Sequence, residues 1–272
     1  MIDVHKQYYR VLSIAGSDSG GGAGVQADIK TISAHHCYAT SVITALTAQN
    51  TVGVSAIHTV PVSFVQQQLE AVLSDIGTDS IKIGMLFSPE LIETVANQLR
   101  RFKATNIVLD PVMVAQSGDQ LIEDDAIETL KDKLIPLTDL ITPNLPEASV
   151  LLGRDIKDSD ELQQAAIDLT ELGCVNVLIK GGHLANEDSD DLLYLGNEKQ
   201  TITLPMKRIE TSNNHGTGCT LSSAIASGLA KGLSMEHAVR QAKDYITGAI
   251  ASGARYQIGK GHGPVDHFYR LS

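Results

Sequence analysis

Short apolar runs alternate with helically spaced apolar residues along almost the whole chain, and this alternation limits the fold more than any other feature. Runs at 11–14, 42–46, 81–85, 107–109 and 175–179 have the length of buried strands, and the segments between them show helical periodicity. Apolar strands joined by helices are typical of a mainly parallel sheet with helices on both faces. The sequence therefore predicts an α/β fold.

Local patterns make predictions about two of the helices. In the first, Val25, Ile29 and Ile32 share one face, which is predicted to be the buried one. Another helix follows Ser63 and Gln66, which have the spacing of a capping box. Both helices are expected to pack against the sheet.

The later part of the chain departs from the alternation of strands and helices. Asp191–Leu195 and Gln200–Leu204, joined across Gly196-Asn197, predict a β-hairpin. The acidic segment Glu187–Asp191 before it is expected to be a solvated loop. Because no linker, composition break or internal repeat divides the chain, a single domain over residues 1–272 is predicted.

Composition excludes several classes of protein. A formal net charge of −11 argues against a surface for nucleic acid or anionic membrane. The three cysteines, Cys37, Cys174 and Cys219, are too few and too scattered for a disulfide framework or a zinc site. The N-terminus lacks the apolar core of a signal peptide, and no run is long enough for a membrane span. A cytoplasmic protein is the expectation.

Residues 214–219, Asn-His-Gly-Thr-Gly-Cys, form a glycine-rich turn directly before a helical pattern. Such a turn directs backbone N–H groups and the positive end of the helix dipole at one place, which suits a phosphate. Gly216, Thr217 and Gly218 would form this anion site, and Cys219 would lie where a thiol is most easily deprotonated. A lone cysteine is more often a small buried apolar residue, so that interpretation stays open.

Four polar residues stand at or just after predicted strand ends: Asp110, Asn144, Glu147 and Lys180. In open parallel sheets ligands bind at the carboxyl ends of the strands. Carboxylates there suit Mg²⁺ bridged to nucleotide phosphates, and a lysine supplies the cation that an acidic protein needs for an anionic substrate. Taken singly, each residue also has a structural explanation, such as a turn, a helix start or a solvated strand end.

The first predicted strand is followed by a second glycine-rich turn, at 15–24. Its spacing matches neither the dinucleotide-binding fingerprint nor a P-loop, but glycines at this density indicate close contact between backbone and ligand. The nine histidines have no metal-ligand spacing. His35, His36 and His237 are predicted to lie on helix surfaces.

These motifs together resemble one family, the bacterial hydroxymethylpyrimidine/phosphomethylpyrimidine kinases of thiamin biosynthesis, within the ribokinase-like superfamily. The matching segments span nearly the full length in the family's order: AGSDSGGGAGVQADIKT (15–31), ALTAQNT (45–51), KIGML (82–86), LDPVMVAQSGDQLI (109–122), ITPNLPEA (141–148), KGGHL (180–184), HGTGCTLSSAIA (215–226) and GKGHGPVDHF (259–268). The resemblance implies a ribokinase-like α/β fold without a separate lid domain. It also implies a homodimer.

The resemblance further implies two ATP-dependent steps in one site. In the first, 4-amino-5-hydroxymethyl-2-methylpyrimidine is phosphorylated on its hydroxymethyl group, and in the second the monophosphate becomes the diphosphate. By position, Gln49 matches the glutamine that binds the aminopyrimidine, Asp28, Met85 and Val112 match pocket-lining residues, and Gly16 approaches the ring.

The phosphate end of the implied site contains the remaining matches. The resemblance assigns catalysis to Gly216, Thr217, Gly218 and Cys219, magnesium to Asp110 and Glu147, and ATP to Asn144 and Lys180. Cys219 stands where most ribokinase relatives have a catalytic aspartate, and it would either accept the alcohol proton or only orient the hydroxyl. The implied cofactors are therefore ATP and Mg²⁺.

Two departures from the family pattern and two other functions remain to be weighed. Gly20 replaces an expected serine, and Gln116 replaces a common lysine, which weakens the case for the second phosphorylation. A pyridoxal or pyridoxine kinase is the nearest alternative, because some relatives phosphorylate that hydroxymethylated ring. A non-catalytic binding protein is the other, although it would have no need of magnesium ligands.

Overall fold

The computed structural model describes residues 7–113, 122–156, 161–181 and 190–271. Its strands are β1 (Arg10–Asp18), β2 (Tyr38–Gln49), β3 (Val54–Thr59), β4 (Ser80–Ile83), β5 (Ile107–Leu109), β6 (Leu140–Ile141), β7 (Asn176–Ile179), β8 (Asp191–Leu195) and β9 (Gln200–Leu204). Its α-helices are α1 (Gly24–Ala34), α2 (Val62–Ala71), α3 (Pro89–Arg101), α4 (Asp124–Thr129), α5 (Leu145–Leu152), α6 (Leu162–Thr170), α7 (Thr217–Ala230) and α8 (Met235–Gly253). Single π-helical turns extend α2 and α4.

The strands form one nine-stranded sheet in the order β3-β2-β1-β4-β5-β6-β7-β8-β9. The six strands from β2 to β7 in this order are parallel, while β3 at one edge and β8 and β9 at the other are antiparallel. The parallel strands all end at the same edge of the sheet, which is where ligands bind in open α/β folds. The predicted mainly parallel sheet is confirmed.

Helices cover both faces of the sheet because successive strand residues point to opposite sides. On β1, Leu12 belongs to the core under α2 to α6, and its neighbour Val11 belongs to the core under α1, α7 and α8. Strands β1, β4, β5, β6 and β7 are therefore buried from both sides, which explains their apolar runs, whereas β2 is partly exposed. That residues 1–272 form a single domain stays a prediction.

Two expectations about helices are wrong. Val25 and Ile32 of α1 are buried as expected, but Ile29 is 39% exposed and its neighbour Asp28 is fully buried. The sequence pattern favoured Ile29 because a buried aspartate is costly without a partner, and the partner comes from a distant strand. The α2 capping box is also absent, because α2 begins directly after Pro61 with no side-chain cap.

At the sheet edges the hairpin prediction is confirmed, since β8 and β9 pair antiparallel over the predicted residues. Strand β3 was missed because nearly all of its residues are exposed and give no buried apolar run. Asp191 was placed in a solvated loop but starts β8 and is buried beside Lys243. Residues 187–189 of that segment lie outside the described residues.

One histidine prediction is wrong as well. His35 is buried against the ring of Tyr245, with 4.4 Å between the ring centroids, whereas His36 and His237 are on the surface. Burial lowers the pKa of His35 to about 4, so its imidazole is neutral at physiological pH. None of the helices in the described part of the chain is long and apolar enough to cross a membrane.

Candidate active site

A cavity of about 850 Å³ opens at the carboxyl ends of the parallel strands. Its walls come from the turns that follow β1, β4, β5, β6 and β7 and from the N-terminus of α7. Every site residue predicted from the sequence lines this cavity except Asp28. The fold thus brings together segments that are up to two hundred residues apart in the chain.

The glycine-rich turn at 214–219 is built around a left-handed backbone. Gly216 precedes α7 with φ of +81°, and a side chain there would overlap the carbonyl oxygen of Gly22. The two glycine-rich turns therefore pack directly against each other. A Cβ on Gly218 would lie 3.1 Å from Oδ2 of Asp110 and 3.4 Å from Nζ of Lys180. The N-terminal end of α7 thus adjoins an aspartate–lysine pair.

That pair joins the ends of β5 and β7. Lys180 Nζ donates to Oδ1 of Asp110 at 2.7 Å, and Thr142 Oγ1 donates to the same oxygen at 3.1 Å. Lys180 Nζ is also 3.9 Å from Oε2 of Glu147. Burial by itself would lower the pKa of Lys180, but the two carboxylates outweigh it and raise the pKa. The lysine is therefore a permanent cation in the cavity.

Glu147 and Asn144 form a capping box at the start of α5. The backbone N–H of Asn144 donates to Oε2 of Glu147, and the N–H of Glu147 donates to Oδ1 of Asn144, both at 2.8 Å. Burial, with a contribution from Asp110, raises the pKa of Glu147 to about 7, although Lys180 opposes the shift. The helix-start explanation for Glu147 therefore applies, while its side chain still lines the cavity.

Gln49, Met85 and Gly16 also line the cavity. A Cβ on Gly16 would be 2.7 Å from Cε of Met85, so the glycine lets the methionine lie flat against the strand. Gln49 accepts a hydrogen bond from Thr47 Oγ1 at 3.1 Å, and its amide nitrogen is 3.4 Å from Nε2 of His215. The amide thus stands at the cavity wall with hydrogen-bonding capacity for a ligand.

Sequence reasoning missed a contact between Asp18 and His215 beside Gln49. Asp18 accepts hydrogen bonds from the backbone amides of Gly20, Gly22 and Ala23 and lies 2.8 Å from Nε2 of His215. Burial would raise the pKa of Asp18, but His215 and the amides outweigh it and lower the pKa. This pair fixes the first glycine-rich turn to the second. No local signal could have found it, because its members are 197 residues apart.

Asp28 was predicted to line the pocket and does not. It is fully buried behind the wall, where its two carboxylate oxygens lie 2.8 and 2.9 Å from Nζ of Lys82. Lys82, which had no predicted role, lines the cavity instead. The spacing of residues in the chain does not distinguish a wall residue from the residue behind it.

Cys219 is half-buried in the cavity wall, whereas Cys37 and Cys174 are buried in the cores. Burial raises the pKa of the Cys219 thiol, and Lys82 and the Gly24 amide only partly oppose this. The expectation that helix position makes this thiol easy to deprotonate is therefore wrong for the free protein. Desolvation outweighs the helix N-terminus, and the resting group is a thiol.

The sequence profile of one family, described as phosphomethylpyrimidine kinase, matches residues 18–266. The chain belongs to the phosphomethylpyrimidine kinase family. It is 51% identical over 260 residues to the hydroxymethylpyrimidine/phosphomethylpyrimidine kinase of Rhizobium meliloti, covering 95% of this chain and 97% of that protein. It is also 51% identical over 257 residues to the thiamine biosynthesis bifunctional protein ThiED of Geobacter sulfurreducens, covering 94% of this chain but only 52% of that longer protein.

Solved structures resemble this member of the phosphomethylpyrimidine kinase family over almost its whole length. The pyridoxal kinase of Bacillus subtilis, crystallised as an ADP complex, has a TM-score of 0.89 at 35% identity, covering 98% of this chain and all of that chain. The ribokinase-like fold inferred from the resemblance is confirmed.

Of the two departures from the phosphomethylpyrimidine kinase pattern, the structure explains the glycine at position 20. Its N–H donates to Asp18 Oδ1 at 2.7 Å, and a Cβ there would be 3.0 Å from the same oxygen. A side chain at this position would crowd the turn. Gln116 lies outside the described residues.

Proposed function

We propose that this protein uses ATP to phosphorylate 4-amino-5-hydroxymethyl-2-methylpyrimidine and then converts the monophosphate to the diphosphate, for thiamin biosynthesis. The observation that carries the proposal is the glycine turn before Cys219, which adjoins the Asp110–Lys180 pair in one cavity. The kinase from Rhizobium meliloti that matches 95% of the chain supports the choice of substrate.

The phosphate end of the cavity has what phosphoryl transfer requires, namely positioning and neutralisation of charge. The free N–H groups at the start of α7, next to Gly218, are suited to the γ-phosphate. Lys180 supplies a fixed positive charge beside them, and Asn144 adjoins the same region through its bridge to Lys180. ATP is therefore assigned to this end.

The pyrimidine is assigned to the opposite end, between Gln49, Met85 and Val112. Its amino group and ring nitrogen would pair with the Gln49 amide, and Met85 would cover the ring. The hydroxymethyl group then faces Cys219. The alcohol oxygen forms its bond to the γ-phosphorus as the bond to the ADP oxygen breaks, and Cys219 either takes the alcohol proton or orients the hydroxyl. Because the resting thiol is protonated, only its deprotonated fraction could act as a base.

Magnesium fits one of its two predicted ligands better than the other. Oδ1 of Asp110 is engaged by Lys180 and Thr142, and Oδ2 faces the phosphate-binding turn, which suits an ion held by one carboxylate, water and phosphates. Glu147 is bound to the Asn144 amide and has a raised pKa, so we assign it an indirect role. The described residues hold no cluster of three acidic, histidine or cysteine ligands. When bound, the ion would neutralise phosphate charge.

Pyridoxal phosphorylation is the second candidate, because the Bacillus subtilis relative that matches 98% of this chain is a pyridoxal kinase. A coupled ADP-release assay on the pyrimidine, its monophosphate, pyridoxal and ribose distinguishes the candidates by kcat/KM. Mass spectrometry that finds only monophosphate after long incubation would contradict the second step. Tight binding without any ADP release would point to the non-catalytic alternative.

We also propose that the protein is cytoplasmic, as its composition indicates, and that it is a homodimer, as the family resemblance implies. Light scattering coupled to size-exclusion chromatography would measure the assembly directly. A monomer at micromolar concentration would contradict it.

A further inference from the structure

Lys82 is a fully buried cation to which the proposed reaction assigns no role. It belongs to β4, has no exposed side-chain surface in the wall, and still borders the cavity that contains Cys219. Its ammonium group bonds both oxygens of Asp28, at 2.8 and 2.9 Å. No third acceptor bonds it among the residues that the structure describes. An ammonium group has three N–H donors, so Lys82 keeps capacity for one more hydrogen bond.

The position of Lys82 is fixed by four different elements. Asp28 on α1 also accepts from Ser13 Oγ of β1 at 2.5 Å and from Ser223 Oγ of α7 at 2.8 Å. Ser223 is one helical turn beyond Cys219, on the same face of α7. A Cβ on Gly84 would lie 2.9 Å from Nζ of Lys82, so the glycine preserves the space that the ammonium occupies. The cation is thereby held at a set place relative to the thiol.

Four charged groups act on Cys219 from the elements around it: Lys82, Asp28, Asp110 and Lys180. The two aspartates raise the pKa of the thiol, and Lys82 is the charge that opposes them most. The influence is mutual, since Cys219 raises the pKa of Lys82. Lys82 therefore borders the same cavity as the sulfur and is the charge that lowers the pKa of the thiol most.

We propose that Lys82 is a positioning residue for the phosphoryl transfer, clamped by Asp28, Ser13 and Ser223 so that its ammonium stabilises the thiolate of Cys219. The inference rests on the proposed kinase function. In the step it serves, the thiolate takes the proton of the hydroxymethyl group, the alcohol oxygen bonds the γ-phosphorus, and ADP leaves with the electron pair of the broken P–O bond. Lys82 keeps its own protons throughout.

The test compares two double variants that each remove one buried lysine–aspartate pair. Lys82→Met/Asp28→Asn removes the pair beside Cys219, and Lys243→Met/Asp191→Asn removes a matched pair elsewhere along the same cavity. Iodoacetamide alkylation of Cys219 is followed by peptide mass spectrometry from pH 6 to 10, without ATP or pyrimidine. The assay therefore reports on the thiol even if the kinase assignment is wrong.

In the Lys82 variant we expect the apparent pKa of alkylation to rise by about one unit and the rate at pH 7 to fall about tenfold. The Lys243 variant should remain within about twofold of wild type, since neither Lys243 nor Asp191 is among the main influences on the pKa of Cys219. If the Lys82 double variant does not fold, Lys82→Gln, which can still donate to Asp28, replaces it with the same expectation. A wild-type alkylation profile in a folded Lys82 variant would overturn the proposal.

A second measurement connects the thiol to turnover. In the folded Lys82 variant, the pH at which kcat/KM for the pyrimidine rises should move upward by the same amount as the alkylation profile. KM for ATP should change much less than kcat. A loss of activity that is equal at all pH values would mean that Lys82 has only a structural role, and would also overturn the proposal.

Discussion

The Lys82 pair (Lys82 with Asp28) and the Lys180 pair (Lys180 with Asp110) have the same chemistry in different surroundings. In each, a lysine at a parallel strand bonds an aspartate within 3 Å. The Lys82 pair has no exposed side-chain surface, while the Lys180 side chain is 17% exposed. Two serine hydroxyls complete the coordination of Asp28, whereas one threonine hydroxyl serves Asp110.

The difference shows two kinds of electrostatic site in one fold. The charges of the Lys82 pair stay fixed, whereas a neighbour of the Lys180 pair can change its charge. The Lys82 pair is internally neutral, and the Asp28 carboxylate accepts from Lys82 and from two serines, so the pair holds a fixed geometry. The Lys180 pair has an additional carboxylate nearby, Glu147, whose pKa is raised to about 7 by burial. That group can lose or gain charge near neutral pH, and the second pair faces the phosphate-binding turn. Four experiments test this difference between the two pairs.

The largest effect is expected at Cys219, which both lysines influence. Cys219→Ala should lower kcat on the order of 10²–10⁴-fold if the sulfur accepts the alcohol proton, as measured by ADP release. Cys219→Asp should recover part of the loss. ATP binding should survive in both variants because the glycine turn remains. Near-normal kcat for the alanine variant at every pH would make the thiol a packing residue.

Substitution of Asp28 should mainly lower stability, whereas substitution of Asp110 should mainly lower turnover. Asp28→Asn leaves Lys82 buried without its counter-ion and should lower the free energy of unfolding by about 3–5 kcal/mol. Asp110→Asn should cost much less stability, because Lys180 is partly exposed and keeps Glu147 nearby, but kcat should fall by about 100-fold. Urea unfolding and ADP release are measured on both variants. Equal losses of stability in the two variants would show that the Lys82 pair and the Lys180 pair contribute equally to folding.

A smaller, pH-dependent effect is expected at Glu147. Its pKa in the folded protein is above the unfolded value, so the folded state binds more protons and wild-type stability falls as the pH rises from about 4.5 to about 7. Glu147→Gln removes this penalty and keeps an acceptor for the Asn144 amide. At about 1.4 kcal/mol per pKa unit, the variant should gain up to about 3 kcal/mol on wild type between pH 4.5 and 7.5.

Urea unfolding in metal-free buffer at both pH values measures that gain. His36→Gln, at an exposed site far from the cavity, serves as the control for general pH effects. If the difference in stability between Glu147→Gln and wild type does not change with pH, Glu147 is not the group that binds a proton over this range.

The smallest effect is expected at Gln49, which belongs to neither pair. Gln49→Leu would leave a buried pyrimidine group unpaired at a cost of about 1–3 kcal/mol, so KM for the pyrimidine should rise about 5- to 150-fold. KM for ATP and the stability should change little. Steady-state kinetics with each substrate varied in turn provides the measurement, and an equal rise in both KM values would remove Gln49 from the pyrimidine pocket.

Much of the architecture could be predicted because most of the parallel strands are buried from both faces. Runs such as 107–109 are apolar throughout, and the hairpin β8–β9 has its own turn signal. Strand β3 could not be found because an exposed edge strand carries no apolar pattern.

The sequence alone determined which segments meet at the cavity, because the carboxyl ends of parallel strands share one edge of the sheet. It also determined the glycine turn before α7, whose left-handed residue must be a glycine. Only the tertiary structure decided which polar residue lies in the wall and which behind it, as with Lys82 and Asp28, and that Cys219 rests as a thiol. Burial and charge pairing depend on side chains from several distant elements at once. Their combined effect cannot be predicted from the spacing of residues along the chain.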